Sequence, residues 1–161
     1  TTALDVTIQA QIIELVKKLK EQLGMAMIWI SHDLGVVAGL SDTVQVMYGG
    51  MIVERGAVTD VFKDTRHPYT LGLLKSLPRH DMRQADKKLT QIEGSPPDMR
   101  IVPKGCPFFA RCNYRIPGKC DEQMPPLIPG PESTPSHLKA CWVDVRSGEP
   151  MLDQQGEAQH V

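Results

Sequence analysis

Four cysteines in the last third of the chain are the residues whose type and spacing point most clearly to chemistry. They are Cys106, Cys112, Cys120 and Cys141, and no cysteine precedes them. Thiols grouped in this way form disulfides, bind zinc or hold an iron–sulfur cluster. Their irregular spacing contains none of the short C-x₂₋₄-C pairs of structural zinc sites. A [4Fe–4S] cluster accepts such spacing, and Zn²⁺ stays open as the alternative.

The residues around these cysteines suit a metal centre. Pro107 follows the first cysteine and favours a rigid ligand loop, while Arg111 and Lys139 place positive charge near the thiolates in sequence. Eleven of the 13 prolines follow residue 93, and this segment has no long periodic apolar run. We therefore expect metal binding to supply part of its folding free energy.

Composition narrows the classes of function and the compartment. The formal net charge of −1 provides no basic field for nucleic acid. No apolar run reaches the roughly 18 residues of a membrane span. The chain opens with a polar helix start instead of a signal peptide, so we expect a reducing compartment, where disulfides are disfavoured.

A helix, a strand and a polar triplet are predicted in the first part of the chain. Apolar residues at helical spacing predict an amphipathic helix over residues 6–23, capped by Asp5 or Thr7 and ended by Gly24, with its apolar stripe in the core. The run 25–30 predicts a buried parallel strand. It ends at Ser31-His32-Asp33, and polar residues at that end of a strand are where open α/β sheets place their chemistry.

A hairpin and three short helices are predicted next. Residues 34–40 suit a helix, and two strands over 43–48 and 51–55 flank Gly49-Gly50, whose glycines suit a tight primed turn. We interpret these glycines as turn residues only. A helical turn over 58–62 follows, and a further helix starts at His67-Pro68 and runs to Pro78.

Taken together, these motifs resemble the ATP-binding subunits of ABC transporters. Ala3-Leu4-Asp5 resembles the D-loop, and His32 resembles the switch histidine after the last catalytic strand. The stretch His67-Pro68-Tyr69-Thr70 and the later Gly-Cys-Pro-Phe run are typical of the oligopeptide, dipeptide and nickel importers. The resemblance extends to about Trp142.

The resemblance implies an α/β fold in two regions. Residues 1–78 would be the C-terminal part of a RecA-like P-loop NTPase domain, and residues 79–161 a loop-rich extension with the four-cysteine site. It also implies that the D-loop contacts the nucleotide site of a partner subunit, that His32 acts on the γ-phosphate, and that the four cysteines hold an iron–sulfur cluster.

The P-loop lysine motif, the ABC signature and the Walker B Asp-Glu pair have no match in the 161 residues. The family places all three before the D-loop, so the chain is expected to be the C-terminal half of a subunit and inactive alone. The complete subunit would use ATP and Mg²⁺ with a second ATP-binding subunit, two permeases and, indirectly, a solute-binding protein at the cytoplasmic face of the inner membrane. The alternative is a small metal-binding interaction module without ATPase activity.

Overall fold

The computed structural model describes residues 3–77, 91–146 and 149–150. It is a mixture of helix and sheet, which agrees with the α/β expectation at that level. Contacts within the chain group residues 1–42 into one unit and residues 43–161 into another. This division falls before the hairpin, whereas the sequence interpretation separates residues 1–78 from 79–161.

The first unit contains two helices. Helix α1 spans Ala3–Leu23, so Asp5 lies within the helix and not at the cap position that the sequence predicted. Gly24 ends α1 with φ of 59°, as expected. Helix α2 spans Leu34–Leu40, as predicted, and the Asp33 carboxylate caps it by accepting the Gly35 N–H at 2.9 Å.

The prediction of a buried strand over residues 25–30 is wrong. The segment does not form a strand, and Ile28 and Ile30 are 92% and 94% exposed. A strand needs a neighbour for its backbone hydrogen bonds, and the described residues of this unit contain no other strand. The expected core position of the α1 stripe is also wrong, since Ile8, Ile12 and Leu15 are exposed.

The second unit is built on the predicted hairpin. Strands β1 (Thr43–Tyr48) and β2 (Met51–Ala57) pair antiparallel, and Gly49 and Gly50 have φ of 56° and 79° between them. Both central residues of a primed turn need positive φ, so glycine is well suited to both positions. Two short strands that the sequence did not predict, β3 (Ile128–Pro129) and β4 (Leu138–Lys139), extend the sheet in the order β1-β2-β4-β3.

The remaining elements are short. Helix α3 spans Val58–Lys63, and α4 spans Pro68–Lys75, where His67 caps the start by accepting the Tyr69 N–H at its Nδ1. Helix α4 ends at Lys75 with Ser76 as its C-cap, so the predicted extension to Pro78 is wrong. A 3₁₀ turn covers Phe109–Arg111, and strands β5 (Val143–Asp144) and β6 (Glu149–Pro150) form a separate pair. No helix of the described residues is both long and apolar enough to cross a membrane.

Aromatic packing joins the hairpin to the cysteine-rich segment. The rings of Tyr48, Tyr69 and Phe108 lie against one another, with centroids 4.6 to 5.4 Å apart. Val53 and Cys112 belong to the same buried cluster. Offset and edge-on aromatic contacts add to the stability gained from burying area. The extension therefore shares a core with the hairpin and does not depend on its own apolar residues alone.

Candidate metal centre

The structure brings the four cysteines to one cavity. Cys106 and Cys112 flank the 3₁₀ turn, Cys120 ends the following loop, and Cys141 comes two residues after β4. All four line the same cavity, together with aromatic side chains such as Phe108 and Trp142. All four are free thiols, and Cys112 and Cys120 are buried.

Backbone N–H groups surround the sulfur atoms. The Sγ atoms of three cysteines accept main-chain hydrogen bonds at 3.3 to 3.4 Å, from Tyr114 to Cys112, from Ile116 to Cys120 and from Val143 to Cys141. Cys106 is also hydrogen-bonded to the backbone of Phe108 and Phe109. Hydrogen bonds to sulfur stabilise thiolate charge and tune thiolate-bound clusters.

Without a metal, these thiols hold their protons. Burial raises the pKa of Cys106 to about 11 and that of Cys112 to about 12. Burial also raises the pKa of Cys120 and of Cys141. Because only the thiolate ligates, a metal that binds here displaces protons.

The arrangement of the four thiols can be compared with what a single metal ion requires. Within residues 3–77, 91–146 and 149–150, no three His, Cys, Asp or Glu side chains converge closely enough to hold a single metal ion. The four sulfur atoms nevertheless line one cavity. A single tetrahedral Zn²⁺ would require them to approach to about 2.3 Å from one point.

Close backbone contact holds two of the ligand loops together. The Cys106 N–H donates to the Cys120 carbonyl at 2.7 Å. A Cβ on Gly105 would lie 2.3 Å from that carbonyl oxygen, so only glycine fits here. Pro107 contacts the hairpin turn closely. A Cβ on Gly49 would lie only 2.8 Å from the Pro107 ring. Gly49 therefore also makes room for the ligand loop, beyond the turn role that the sequence indicated.

Arg111 and Lys139, the two basic residues near the cysteines in sequence, make different contacts in the structure. The Arg111 guanidinium donates to the carbonyls of Ile92 and Glu93 at 2.8 and 2.9 Å, which fixes that segment against the hairpin. Lys139 is fully buried, donates to the Val143 carbonyl at 2.5 Å and interacts electrostatically with Cys141. Burial lowers the pKa of Lys139.

His67 also lines the cavity, but its ring nitrogens are occupied. Nδ1 accepts the Tyr69 N–H at 3.1 Å, and the ring is hydrogen-bonded to the backbone of Ala140. Burial, with the nearby Lys139 charge, lowers the pKa of His67 to about 3, so the imidazole is neutral. Its role in the described structure is to fix α4 against the segment that carries Cys141.

A buried polar network beside the cavity went unpredicted. Glu54 is 0% exposed, and its two carboxylate oxygens accept the backbone N–H groups of Arg66 at 2.6 Å and His67 at 3.2 Å. His137 Nε2 lies 2.9 Å from Oε1 of the same carboxylate. Burial raises the pKa of Glu54. The only signal in the sequence was a charged residue, Glu54, next to Val53 in a predicted strand. The partners of Glu54 could not be predicted because β4 was not.

The predicted nucleotide-site residues lie in the first unit. His32 is exposed at a bend before α2, and Ala3, Leu4 and Asp5 form the first turn of α1. Their roles stay predictions.

Comparisons with known proteins identify what the chain is similar to. A family model described as "Oligopeptide/dipeptide transporter, C-terminal region" matches residues 53–120. The chain is 48% identical to a putative peptide import ATP-binding protein of Brucella ovis, over 79% of this chain and 38% of that protein. It is 47% identical to the dipeptide transport ATP-binding protein DppD of Bacillus subtilis, over 92% of this chain and 43% of that protein. For the oligopeptide transport ATP-binding protein OppD of Salmonella typhimurium the identity is 46%, over 90% and 41%.

These matches confirm the resemblance. The chain is similar to the ATP-binding subunits of peptide ABC importers. Within that class it corresponds to the C-terminal region of the oligopeptide/dipeptide branch. The chain spans about two fifths of the length of the curated relatives it matches.

Proposed function

We propose that the chain is part of an ATP-binding subunit that couples ATP hydrolysis to peptide uptake. The observation that carries this proposal is 46–48% identity to peptide-import ATP-binding proteins over 79–92% of the chain. The complete subunit binds ATP with Mg²⁺ and pairs with a second ATP-binding subunit. It works at the cytoplasmic face of the inner membrane on two permeases that receive peptide from a solute-binding protein.

In this proposal His32 acts on the γ-phosphate. Phosphoryl transfer spreads negative charge over three equatorial oxygens, and an imidazole N–H that donates to one of them stabilises the transition state. The exposure of His32 at the bend before α2 leaves its ring accessible to a nucleotide. Residues Ala3, Leu4 and Asp5 contribute the D-loop contact to the partner's nucleotide site.

The test compares the complete subunit with its His32→Ala variant. An interaction made in the transition state affects kcat more than ground-state affinity, so we expect turnover to fall by at least tenfold while ATP affinity changes little. Gln11→Ala, an exposed polar position on α1, is the control. Equal losses of affinity and turnover would contradict the role of His32. A complete subunit without Mg²⁺-dependent hydrolysis would contradict the function itself.

The 161-residue chain alone should not hydrolyse ATP. It contains no Gly-rich phosphate-binding motif and no Walker B acidic pair. Mg²⁺-dependent turnover by the isolated chain that disappears in His32→Ala would contradict this division of the site.

We further propose that Cys106, Cys112, Cys120 and Cys141 hold one [4Fe–4S] cluster. Two features support it: the shared cavity and the backbone N–H donors to the sulfurs. Its four ligands come from the loops around the 3₁₀ turn and from the segment after β4, and the bound cluster stabilises the packing of these segments on the hairpin. Zn²⁺ is the alternative, and metal and sulfide analysis distinguishes the two.

A further inference from the structure

The side chain of Trp142 contains a buried polar atom, the indole Nε1, that lacks a hydrogen-bond partner in the described structure. Among the residues that the structure describes, nothing accepts a hydrogen bond from its Nε1–H, although this atom is buried. Buried indole N–H groups usually find an acceptor, and an unpaired one in a native protein points to a missing water, ion or ligand. Trp142 follows Cys141 directly and lines the cavity of the four cysteines.

The surroundings of Trp142 fix its ring. Its side chain packs on the buried cluster of Ile116, Cys120 and Val143. On its face, the Lys119 ammonium lies 4.3 Å from the ring centroid, a cation–π distance. A ring held in this way presents its single donor in a fixed direction, and indole has no acceptor atom.

We infer that the indole N–H of Trp142 donates a hydrogen bond to a sulfur of the bound group, an inference that rests on the proposed cluster. Cysteine and sulfide sulfurs in a thiolate-bound cluster carry negative charge and accept hydrogen bonds. The donor would thus complete the set of backbone N–H groups that already point at the cysteine sulfurs. Trp142 is a positioning and tuning residue, because it acts on the cluster and not as a ligand.

The test measures the reduction potential of the loaded protein in three forms: wild type, Trp142→Phe and Trp29→Phe. Phenylalanine keeps an aromatic face for Lys119 and removes the N–H. Hydrogen bonds to sulfur stabilise the more negative, reduced cluster, so Trp142→Phe should shift the potential to a more negative value at unchanged iron content. Trp29→Phe, the other tryptophan of the chain, should leave the potential unchanged. Equal potentials in wild type and Trp142→Phe would overturn the inference.

A second measurement does not depend on altering Trp142. In Trp29→Phe protein, Trp142 is the one remaining tryptophan, so ultraviolet resonance Raman reports on its indole N–H alone. The N–H band should indicate a hydrogen bond in loaded protein and its loss after metal removal. An identical band in both states would overturn the inference. A wild-type protein without iron and sulfide would instead contradict the proposed cluster, which separates the two failures.

Discussion

At the scale of single residues, the position of Gly105 decides whether two ligand loops can meet. Its backbone lies against the Cys120 carbonyl, and the neighbouring Cys106 N–H donates to that same carbonyl at 2.7 Å. The sequence identified the four cysteines because their type limits their chemistry. It did not identify Gly105 as part of the site, since the contact joins residues that are separated along the chain by a loop.

We therefore predict that Gly105→Ala prevents normal metal binding. The added Cβ would lie 2.3 Å from a backbone oxygen, which cannot move aside as a flexible side chain can. The visible absorbance of anaerobically prepared protein, per chain, should fall by more than half. Gly39→Ala, where a Cβ meets nothing within 4 Å, is the matched control and should keep the absorbance. Full absorbance in Gly105→Ala would show that the loops separate without cost to the site.

At the scale of elements, short-range sequence patterns predicted the helices and turns that short-range interactions determine. The hairpin, α2 and the end of α1 at Gly24 follow from turn glycines, apolar periodicity and capping, and the structure confirms them. The strand at 25–30 was wrong because strand formation requires a partner strand. Strands β3 and β4 were not predicted because each has two residues and its pairing joins distant parts of the chain.

The contact between β2 and β4 predicts that loss of the Glu54 carboxylate destabilises the protein. Glu54 pairs in register with Lys139, and its carboxylate connects the hairpin to Arg66, His67 and His137. In Glu54→Gln, an NH₂ group replaces one oxygen, so a buried backbone N–H loses its acceptor. We expect the free energy of unfolding to fall by about 1–3 kcal/mol, the usual cost of an unsatisfied buried donor.

Denaturant unfolding of the wild type and two variants measures this cost. Glu132→Gln is the control, because Glu132 makes an exposed ion pair with Arg146 at 3.3 Å, and such pairs contribute at most about 1 kcal/mol. Unfolding midpoints that coincide for Glu54→Gln and the wild type would mean that the network does not stabilise the junction.

At the scale of the whole molecule, the two units carry different parts of the proposed function. Residues 1–42 contain His32 and the D-loop residues, and residues 43–161 contain the hairpin and the four cysteines. The exposed apolar stripe of α1 and the unpaired segment 25–30 are features that a sheet would cover. The family resemblance drawn from the sequence is confirmed, whereas the ligand role of the four cysteines stays a prediction. The burial expected for the α1 stripe is not found, because Ile8, Ile12 and Leu15 are exposed.

Metal and sulfide analysis of anaerobically purified protein tests directly whether the second unit is organised around one [4Fe–4S] cluster. We expect roughly four iron atoms and four acid-labile sulfides per chain, the composition of such a cluster. Both should be lost in Cys112→Ser, which replaces a buried thiol of the cavity, and kept in Gly39→Ala. One tightly bound zinc per chain, with neither iron nor sulfide, would contradict the cluster while leaving the four ligands in place.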